Sequence, residues 1–315
     1  MVSRTLNSPA GRQPLYRRIL VPLDGTPVSE QALAYAIAIA RKAGAVVHLI
    51  TVEIPPPATI PRVELTADLR KPEDGYLASI AERFKAAGVP AVETAVLTGE
   101  AADALRRYGD DVEADLTVLA THGRGPVKRA WLGSVADRFV RSTTTPVLLV
   151  RADESGQPAA FEDFEIRRIL MTVDGSPLSE RVLDPATELG RLFGAKYTLL
   201  RLIKYPHDLK SVYLPDTVEA NRKFLDEQER DAHAELEALC RRIGADGELE
   251  VSPETHVVAR VPDGILDIAE KRRADVIAMT SHGYGGIKRM VLGSVADKVV
   301  RGAECAMLVV HPRSE

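Results

Sequence analysis

Short apolar runs alternate with amphipathic segments along the entire chain. In the first half, β-branched apolar runs predict strands at 18–23, 46–52, 91–97, 115–120 and 146–150. Apolar residues at helical spacing predict helices between them, at 26–44, 73–87, 101–112 and 134–142. Strands that alternate with helices favour a mostly parallel sheet covered by helices on both faces.

The second half repeats the first. The segment 19–30 reappears at 169–180, an offset of 150 residues, whereas a later glycine-containing block recurs at an offset of 160. The second copy therefore carries about ten extra residues, which we place in the charged, helical stretch 216–242. Such a long period indicates two whole domains in tandem. We predict an α/β fold of two doubly wound, Rossmann-like domains, each with a five-stranded parallel sheet.

The 315 residues divide naturally at a polar, turn-forming stretch. We expect a disordered tail at 1–16, a first domain at 17–153, a linker at 154–160 and a second domain at 161–315.

Composition narrows the functional classes. The formal net charge is −4 and aromatic residues make up 5%, so a nucleic-acid partner is not expected. The two cysteines, Cys240 and Cys305, show no metal-ligand or disulfide spacing. No apolar run is long enough to span a bilayer and the first residues lack a signal-peptide core, so we expect no membrane partner and a cytoplasmic protein.

The recurring block is a candidate phosphate site. Thr121-His122-Gly123 is followed, after nine residues, by Gly133-Ser134, and Ser281-His282-Gly283 is followed in the same way by Gly293-Ser294. Each block follows a predicted strand and precedes a predicted helix, and the backbone N–H groups at the start of that helix can bind an anion. Both serines begin a Ser-x-x-Asp pattern, which predicts a helix N-terminus capped by the serine.

An aspartate ends the first strand of each copy, Asp24 in one and Asp174 in the other. In open α/β sheets, ligands bind beyond the carboxyl ends of the strands, where the winding direction reverses. If strands one and four are neighbours, each aspartate faces a glycine block across one crevice. This arrangement suits a nucleotide, with a carboxylate for the ribose or base and amides for the phosphates.

The two copies together resemble a tandem form of the universal stress protein family, from about Arg17 to His311. The resemblance implies an adenine nucleotide alpha hydrolase-like fold. Nucleotide-binding members carry G-x-x-G, nine residues, then G-S/T, with an aspartate after the first strand. Matching positions and their flanks give the candidate nucleotide-binding residues Pro22, Leu23, Asp24, Ala120, His122, Gly123, Arg124, Gly133, Ser134, Val135, Thr172, Val173, Asp174, Thr280, His282, Gly283, Gly293, Ser294 and Val295.

Both copies depart from the family motif at its first glycine. Ala120 adds only a methyl group, whereas Thr280 is β-branched and disfavours glycine-like dihedral angles. Arg124 could pair with a phosphate, but Tyr284 replaces it in the second copy. The sequence therefore ranks the first copy above the second as a nucleotide site.

Neither histidine of the motif is assigned a catalytic role. His122 and His282 have no nearby His, Cys or carboxylate in sequence to form a metal set or to orient them, which favours a loop-stabilising hydrogen bond. The basic pairs 128–129 and 288–289 fit a solvated turn better than a phosphate clamp. We predict no catalytic residues and no metal ligands.

Three classes of function stay open. The resemblance favours a stress-response protein that binds ATP, with Mg²⁺ as a companion ion, and acts as a nucleotide-dependent regulatory module. The alternatives are a slow Mg²⁺-dependent ATPase and a ligand-free structural or interaction protein of the same fold. Family dimers also imply that the last strands, at 146–150 and 305–310, pair within one chain as a pseudo-dimer, with homo-oligomers as a further option.

Overall fold

The computed structural model describes residues 15–53, 71–121, 132–152, 164–205, 215–245, 247–282 and 292–311. Their contacts form two compact units. The first is built mainly from the described residues of Tyr16–Glu165 and Glu304–Glu315, and the second mainly from those of Ile166–Gly286 and Gly293–Ala303. The predicted tail, except for Leu15 and Tyr16, and the predicted linker lie outside the described residues.

The first unit contains every strand and helix expected of the first copy. Its elements are β1 (Arg18–Pro22), α1 (Pro27–Glu30), α2 (Ala32–Ala43), β2 (Val46–Glu53), α3 (Lys71–Ala86), β3 (Ala91–Thr98), α4 (Ala101–Asp111), β4 (Leu116–Thr121), α5 (Ser134–Ser142) and β5 (Val147–Arg151). The strands pair in parallel in the order β3-β2-β1-β4-β5. The winding direction reverses between β1 and β4, as the sequence predicts.

The second unit repeats this order with a longer helix. Its elements are β6 (Arg168–Thr172), a 3₁₀ turn (Ser179–Val182), α6 (Leu183–Arg191), β7 (Lys196–Lys204), α7 (Pro215–Ile243), β8 (Val251–Val258), α8 (Val261–Arg272), β9 (Val276–Thr280) and α9 (Ser294–Gly302). These four strands pair in parallel as β9-β6-β7-β8. Helix α7 has 29 residues and its counterpart α3 has 16, so the extra residues lie where they were predicted.

The last strand of the second copy, β10 (Ala306–Val310), groups with the first unit. It pairs antiparallel with β5, with Leu308 opposite Leu148 at the centre of the register. Both leucines are fully buried. The parallel sheet of the first copy is thus extended by one antiparallel strand.

Local sequence signals set the ends of the helices. Thr26 caps α1 by accepting a hydrogen bond from the Ser29 amide at 3.3 Å, and Pro27 occupies the first helical position. Gly44 ends α2 with φ of +66°, a conformation that glycine adopts without steric cost. No helix in the described part of the chain is long and apolar enough to cross a membrane.

His48 is a buried titratable group in the core of the first unit, 3% exposed. Its Nδ1 atom lies 3.3 Å from the Tyr108 hydroxyl and 3.4 Å from a carboxylate oxygen of Glu93. Among the described residues, its Nε2 atom has no hydrogen-bond partner. Burial lowers the pKa of His48, Glu93 opposes this shift and Arg18 adds to it.

We expect mild acid to destabilise the protein through His48. Because its pKa is lower in the folded state, its contribution is complete above the unfolded pKa of about 6.5 and is lost as the pH falls through the folded pKa. Urea denaturation between pH 7.5 and 5.5 should show the wild type losing stability faster than His48→Phe. Parallel curves for the two proteins would contradict this assignment.

Candidate functional site

The first unit contains a crevice of about 380 Å³ at the carboxyl ends of β1 and β4. One wall is the turn after β1, with Pro22, Leu23 and Asp24. The opposite wall is the start of α5, formed by Gly133-Ser134-Val135. The apolar side chains of the lining are Val28, Ile50, Val52, Ala101, Leu105, Leu119, Ala120, Ala136 and Phe139. The crevice therefore joins two polar walls to an apolar interior.

The turn after β1 fixes the Asp24 carboxylate. Its Oδ1 atom accepts hydrogen bonds from the Thr26 amide at 3.0 Å and the Thr26 hydroxyl at 2.6 Å. Burial disfavours the ionised carboxylate, but the hydrogen bonds from Thr26 and Ser29 outweigh it and hold the pKa of Asp24 below its usual value. Neither Thr26 bond uses the second oxygen, Oδ2, so the ionised group keeps an acceptor for a ligand.

The start of α5 differs from the predicted capping pattern. Gly133, not Ser134, is the N-cap residue, and among the described residues no side chain caps the first turn. Ser134 already has its place inside the helix, so its hydroxyl does not cap. Asp137 instead forms two hydrogen bonds of 2.9 Å with the Arg141 guanidinium one turn later.

The first turn of α5 has backbone amides that face the crevice wall. The first amides of a helix have no partner within the helix, and they lie at the positive end of its dipole. Because no side chain of the described residues caps them in α5, these amides can bind an anion at the crevice wall. Arg141 also offsets the negative charge of Asp137, which would otherwise oppose such an anion.

The second unit has a matching crevice of about 430 Å³. Its walls contain Thr172, Val173 and Asp174 on one side and Gly293, Ser294 and Val295 on the other. The apolar lining residues are Leu200, Leu202, Val261, Ile265, Met279 and Ala296. Gly293 is the N-cap residue of α9, which again has no side-chain cap within the described ranges, and Asp297 pairs with Arg301.

Asp174 is held as Asp24 is, with serine in place of threonine. The Ser176 amide and hydroxyl donate to its Oδ1 atom at 2.9 and 2.6 Å. The neighbouring Gly175 has φ of +85°, and a Cβ atom there would lie 2.7 Å from the Arg201 guanidinium. Arg201, on β7, also pairs with Glu235 of α7. An arginine therefore packs against this turn in the second unit, whereas the corresponding residue of the first unit is Thr51.

Thr280 fits its position for a reason that the motif does not contain. It is the last residue of β9, it has no positive φ, and its buried hydroxyl donates to the His282 carbonyl oxygen at 2.7 Å. Ala120 likewise lies within a regular strand, β4. Because neither position requires a left-handed backbone, the expected conformational cost of threonine is absent.

His282 makes a local hydrogen-bond contact. Its Nδ1 atom lies 3.1 Å from the Ser281 hydroxyl, and burial lowers the pKa of its ring. Nearby, the Gly293 amide donates to the Ser281 carbonyl oxygen at 2.8 Å, and a Cβ atom on Gly293 would lie 3.1 Å from that oxygen. Gly293 thus permits close packing of two backbone segments.

Several predicted residues cannot be placed. His122, Gly123, Arg124, Gly283, Tyr284 and the basic pairs 128–129 and 288–289 lie outside the described residues. The other candidate residues line the crevice of their own copy. Within the described ranges, no group of His, Cys, Asp and Glu could hold a metal ion.

Sequence reasoning missed the apolar interiors of the crevices. Ile50 and Val52 alternate along β2, and Leu200 and Leu202 do so at the matching positions of β7. Alternation along a strand places such residues on one face, which was the available signal. Alternation alone could not show whether these residues line a crevice or belong to the closed core.

The family model for the universal stress protein family matches residues 15–151 and 165–311. These two matches account for most of the chain and follow its internal duplication. The chain therefore belongs to the universal stress protein family, with two tandem family domains.

Curated relatives carry the same family name. A universal stress protein of Mycobacterium tuberculosis is 29% identical over 199 residues, which cover 63% of this chain and 62% of the relative. That alignment spans less than two thirds of the relative. A second universal stress protein, from Mycobacterium bovis, is 26% identical over 316 residues and covers 93% of this chain and 94% of its own.

A solved structure supports the fold. The crystal structure of a universal stress protein from Archaeoglobus fulgidus superposes with a TM-score of 0.69 at 20% identity. The superposition covers 94% of this chain and 98% of the other.

Proposed function

We propose that the protein binds ATP in these crevices and acts in the cytoplasm as a nucleotide-dependent regulatory module of a stress response. One observation carries the proposal. In each unit, a fixed aspartate lines the same crevice as a helix N-terminus that no side chain of the described residues caps. A nucleotide needs both a hydrogen-bond acceptor for its hydroxyl groups and a positive site for its phosphates.

The apolar interior supplies the third requirement. Ile50, Val52 and Leu105 in the first unit, and Leu200, Leu202 and Ile265 in the second, offer a surface for the flat adenine ring. Asp24 or Asp174 would then accept hydrogen bonds from the ribose. The first amides of α5 or α9 would bind the phosphates.

Mg²⁺ enters this proposal only with the nucleotide. Mg²⁺ that accompanies a nucleotide is held mainly by phosphate oxygens and water, with one or two carboxylates from the protein. When bound, the ion would neutralise part of the triphosphate charge. Asp24 and the Ser134 hydroxyl are the oxygen donors that this chain offers on the two walls of the first crevice.

We expect Asp24→Asn to weaken ATP binding by about tenfold or more, as loss of a charged acceptor for a hydrogen bond predicts. Asparagine keeps an Oδ1 acceptor for Thr26, so the turn should survive. Calorimetric titration of the full chain with Mg-ATP measures the effect. Asp174→Asn and the double variant then assign the heat to each crevice.

Asp110→Asn is the matched control, because Asp110 is a carboxylate of the same unit that pairs with Arg106 on an outer face of α4. It should leave ATP affinity unchanged. Absence of ATP binding by the wild type, or equal affinities for wild type and double variant, would overturn the proposal. Incubation of the complex followed by assay for ADP separates a binding module, which retains ATP, from an ATPase.

We also propose that one chain imitates a family dimer. In the β5–β10 pairing, Leu148 faces Leu308, and Val147 and Leu149 face Val309 and Met307. Leu308 is the residue of the second copy that corresponds to Leu148, so equivalent positions oppose one another. This self-complementary register is the kind that two-fold symmetric interfaces have.

A further inference from the structure

The second unit has another cavity, of about 320 Å³, at the amino-terminal ends of its strands and therefore opposite the candidate site. Four basic residues line it, Arg168, Lys196, Lys271 and Arg272, with Glu250 as the acidic residue of the lining. Thr198 and Ser252 add hydroxyl groups. We call this the basic cavity.

The equivalent place in the first unit has a different charge. Arg18 lies opposite Val46 in the register of β1 and β2, and at the matching place in β6 and β7 Arg168 lies opposite Lys196. Asp115 accepts from the Arg18 amide as Asp275 accepts from the Arg168 amide, which confirms that the two places correspond. Val46 is apolar, so one cation of the basic cavity has no counterpart.

The ends of helices α4 and α8 add to this difference. Glu113 and Arg273 follow these helices with nearly the same left-handed φ, 49° and 50°. In the first unit, Glu113 pairs with Arg18 at 2.7 Å. In the second unit, Arg273 occupies the position of Glu113, and Lys271 occupies the position of Asp111. An ion pair has thus been replaced by like charges.

Two of these cations lack an acidic partner. Within the described part of the chain, neither the Arg168 guanidinium nor the Lys271 ammonium has a carboxylate oxygen within 4.0 Å, although Asp275 accepts from the Arg168 backbone amide. Lys196 and Glu250 form an ion pair of 2.9 Å, but both side chains are more than two thirds exposed, so this pair is weak and exchangeable. Unpaired like charges around one cavity repel one another, and an anion between them would remove that repulsion.

Arg272 is fixed in place before any ligand arrives. Its Nε atom donates to Glu254 at 2.8 Å, and the Glu254 side chain is only 12% exposed. Basic residues at the end of α8 could serve only to stabilise the helix dipole. However, α4 ends in Asp110 and Asp111 and still forms a helix, so its stability does not require basic residues at that end. The helix dipole also leaves Arg168 and Lys196, at the start of strands, unexplained.

We infer that the basic cavity binds a small phosphate compound with at least two negative charges. Its volume lies at the lower end of small-molecule pockets, and phosphate oxygens suit clustered guanidinium and ammonium groups. The site is separate from the crevices and does not depend on nucleotide binding there.

The test is calorimetric titration of the full chain with inorganic pyrophosphate at low salt. We expect one site per chain, with affinity that falls as NaCl is raised because the contacts are exposed and ionic. Lys196→Gln/Lys271→Gln should weaken binding at least tenfold. Lys223→Gln/Lys298→Gln, which removes two exposed charges from α7 and α9, should leave it unchanged.

Titration with a sugar bisphosphate distinguishes an organic phosphate from the free ion: tighter binding than pyrophosphate assigns the cavity to phosphate esters, and weaker binding assigns it to the inorganic ion. The Asp24→Asn/Asp174→Asn variant should bind pyrophosphate like the wild type, so failure of the ATP proposal would not affect this one. No pyrophosphate binding, or equal affinities for the wild type and Lys196→Gln/Lys271→Gln, would overturn the inference.

Discussion

Replacing Leu308 with aspartate should lower the free energy of unfolding by more than about 3 kcal/mol. Truncation of a buried leucine alone costs about 2–5 kcal/mol, and an unpaired buried carboxylate adds to that cost. Leu308 is fully buried and faces the equally buried Leu148 in the β5–β10 register. Urea denaturation monitored by circular dichroism measures the change.

Leu308→Met is the control for this substitution, because it keeps the volume and apolar character and should cost less than about 1.5 kcal/mol. Leu148→Asp should be as harmful as Leu308→Asp, since the two positions are equivalent in the register. A loss below 1 kcal/mol for both aspartate variants would show that β5 and β10 do not pair as described.

Gly190→Ala should destabilise the protein by about 2–4 kcal/mol, through overpacking and the loss of a buried hydrogen bond. A Cβ atom on Gly190 would lie 2.3 Å from the Tyr197 hydroxyl oxygen and 2.6 Å from two ring carbons. The Tyr197 ring is only 2% exposed, and its hydroxyl donates to the Thr187 carbonyl oxygen at 2.7 Å. The ring cannot move aside without breaking that bond.

Gly109→Ala provides the matched control in the first unit. Gly109 also lies near the end of a helix, but a Cβ atom there would meet Leu20 at 3.5 Å, an ordinary contact. Alanine is the better helix former by about 1 kcal/mol, so this variant should be neutral or more stable. If thermal and urea denaturation give both alanine variants the same stability, close packing on Tyr197 is not what requires glycine at position 190.

The sequence predicted the order of strands and helices well because its apolar periodicity is strong. The runs 46–52 and 91–97 differ from β2 and β3 by one residue at one end. Gly44 and Pro27 mark helix ends by their own backbone geometry, so they could be read without tertiary contacts. Periodicity carries no direction, so the pairing of the last strands was predicted partly from the sheet edge that each strand would leave exposed and partly from family dimers.

The helix start at Ser134 shows where such reasoning fails. The Ser-x-x-Asp pattern does not show whether the serine stands before the helix as its cap or is already the first residue of the helix. The bond between Asp137 and Arg141 turns the acidic side chain away from the capping role, and only the folded geometry shows which partner it takes. The two aspartates of the crevices were easier to find because strand ends locate them directly.

The register of β5 and β10 has a consequence for how the protein withstands dilution. In a dimer of separate chains, such a strand pair forms only when two molecules associate, so it dissociates at low protein concentration. Here both strands belong to one polypeptide, and each finds its partner at a local concentration that the connecting chain sets. The contact is therefore independent of how many copies a cell holds.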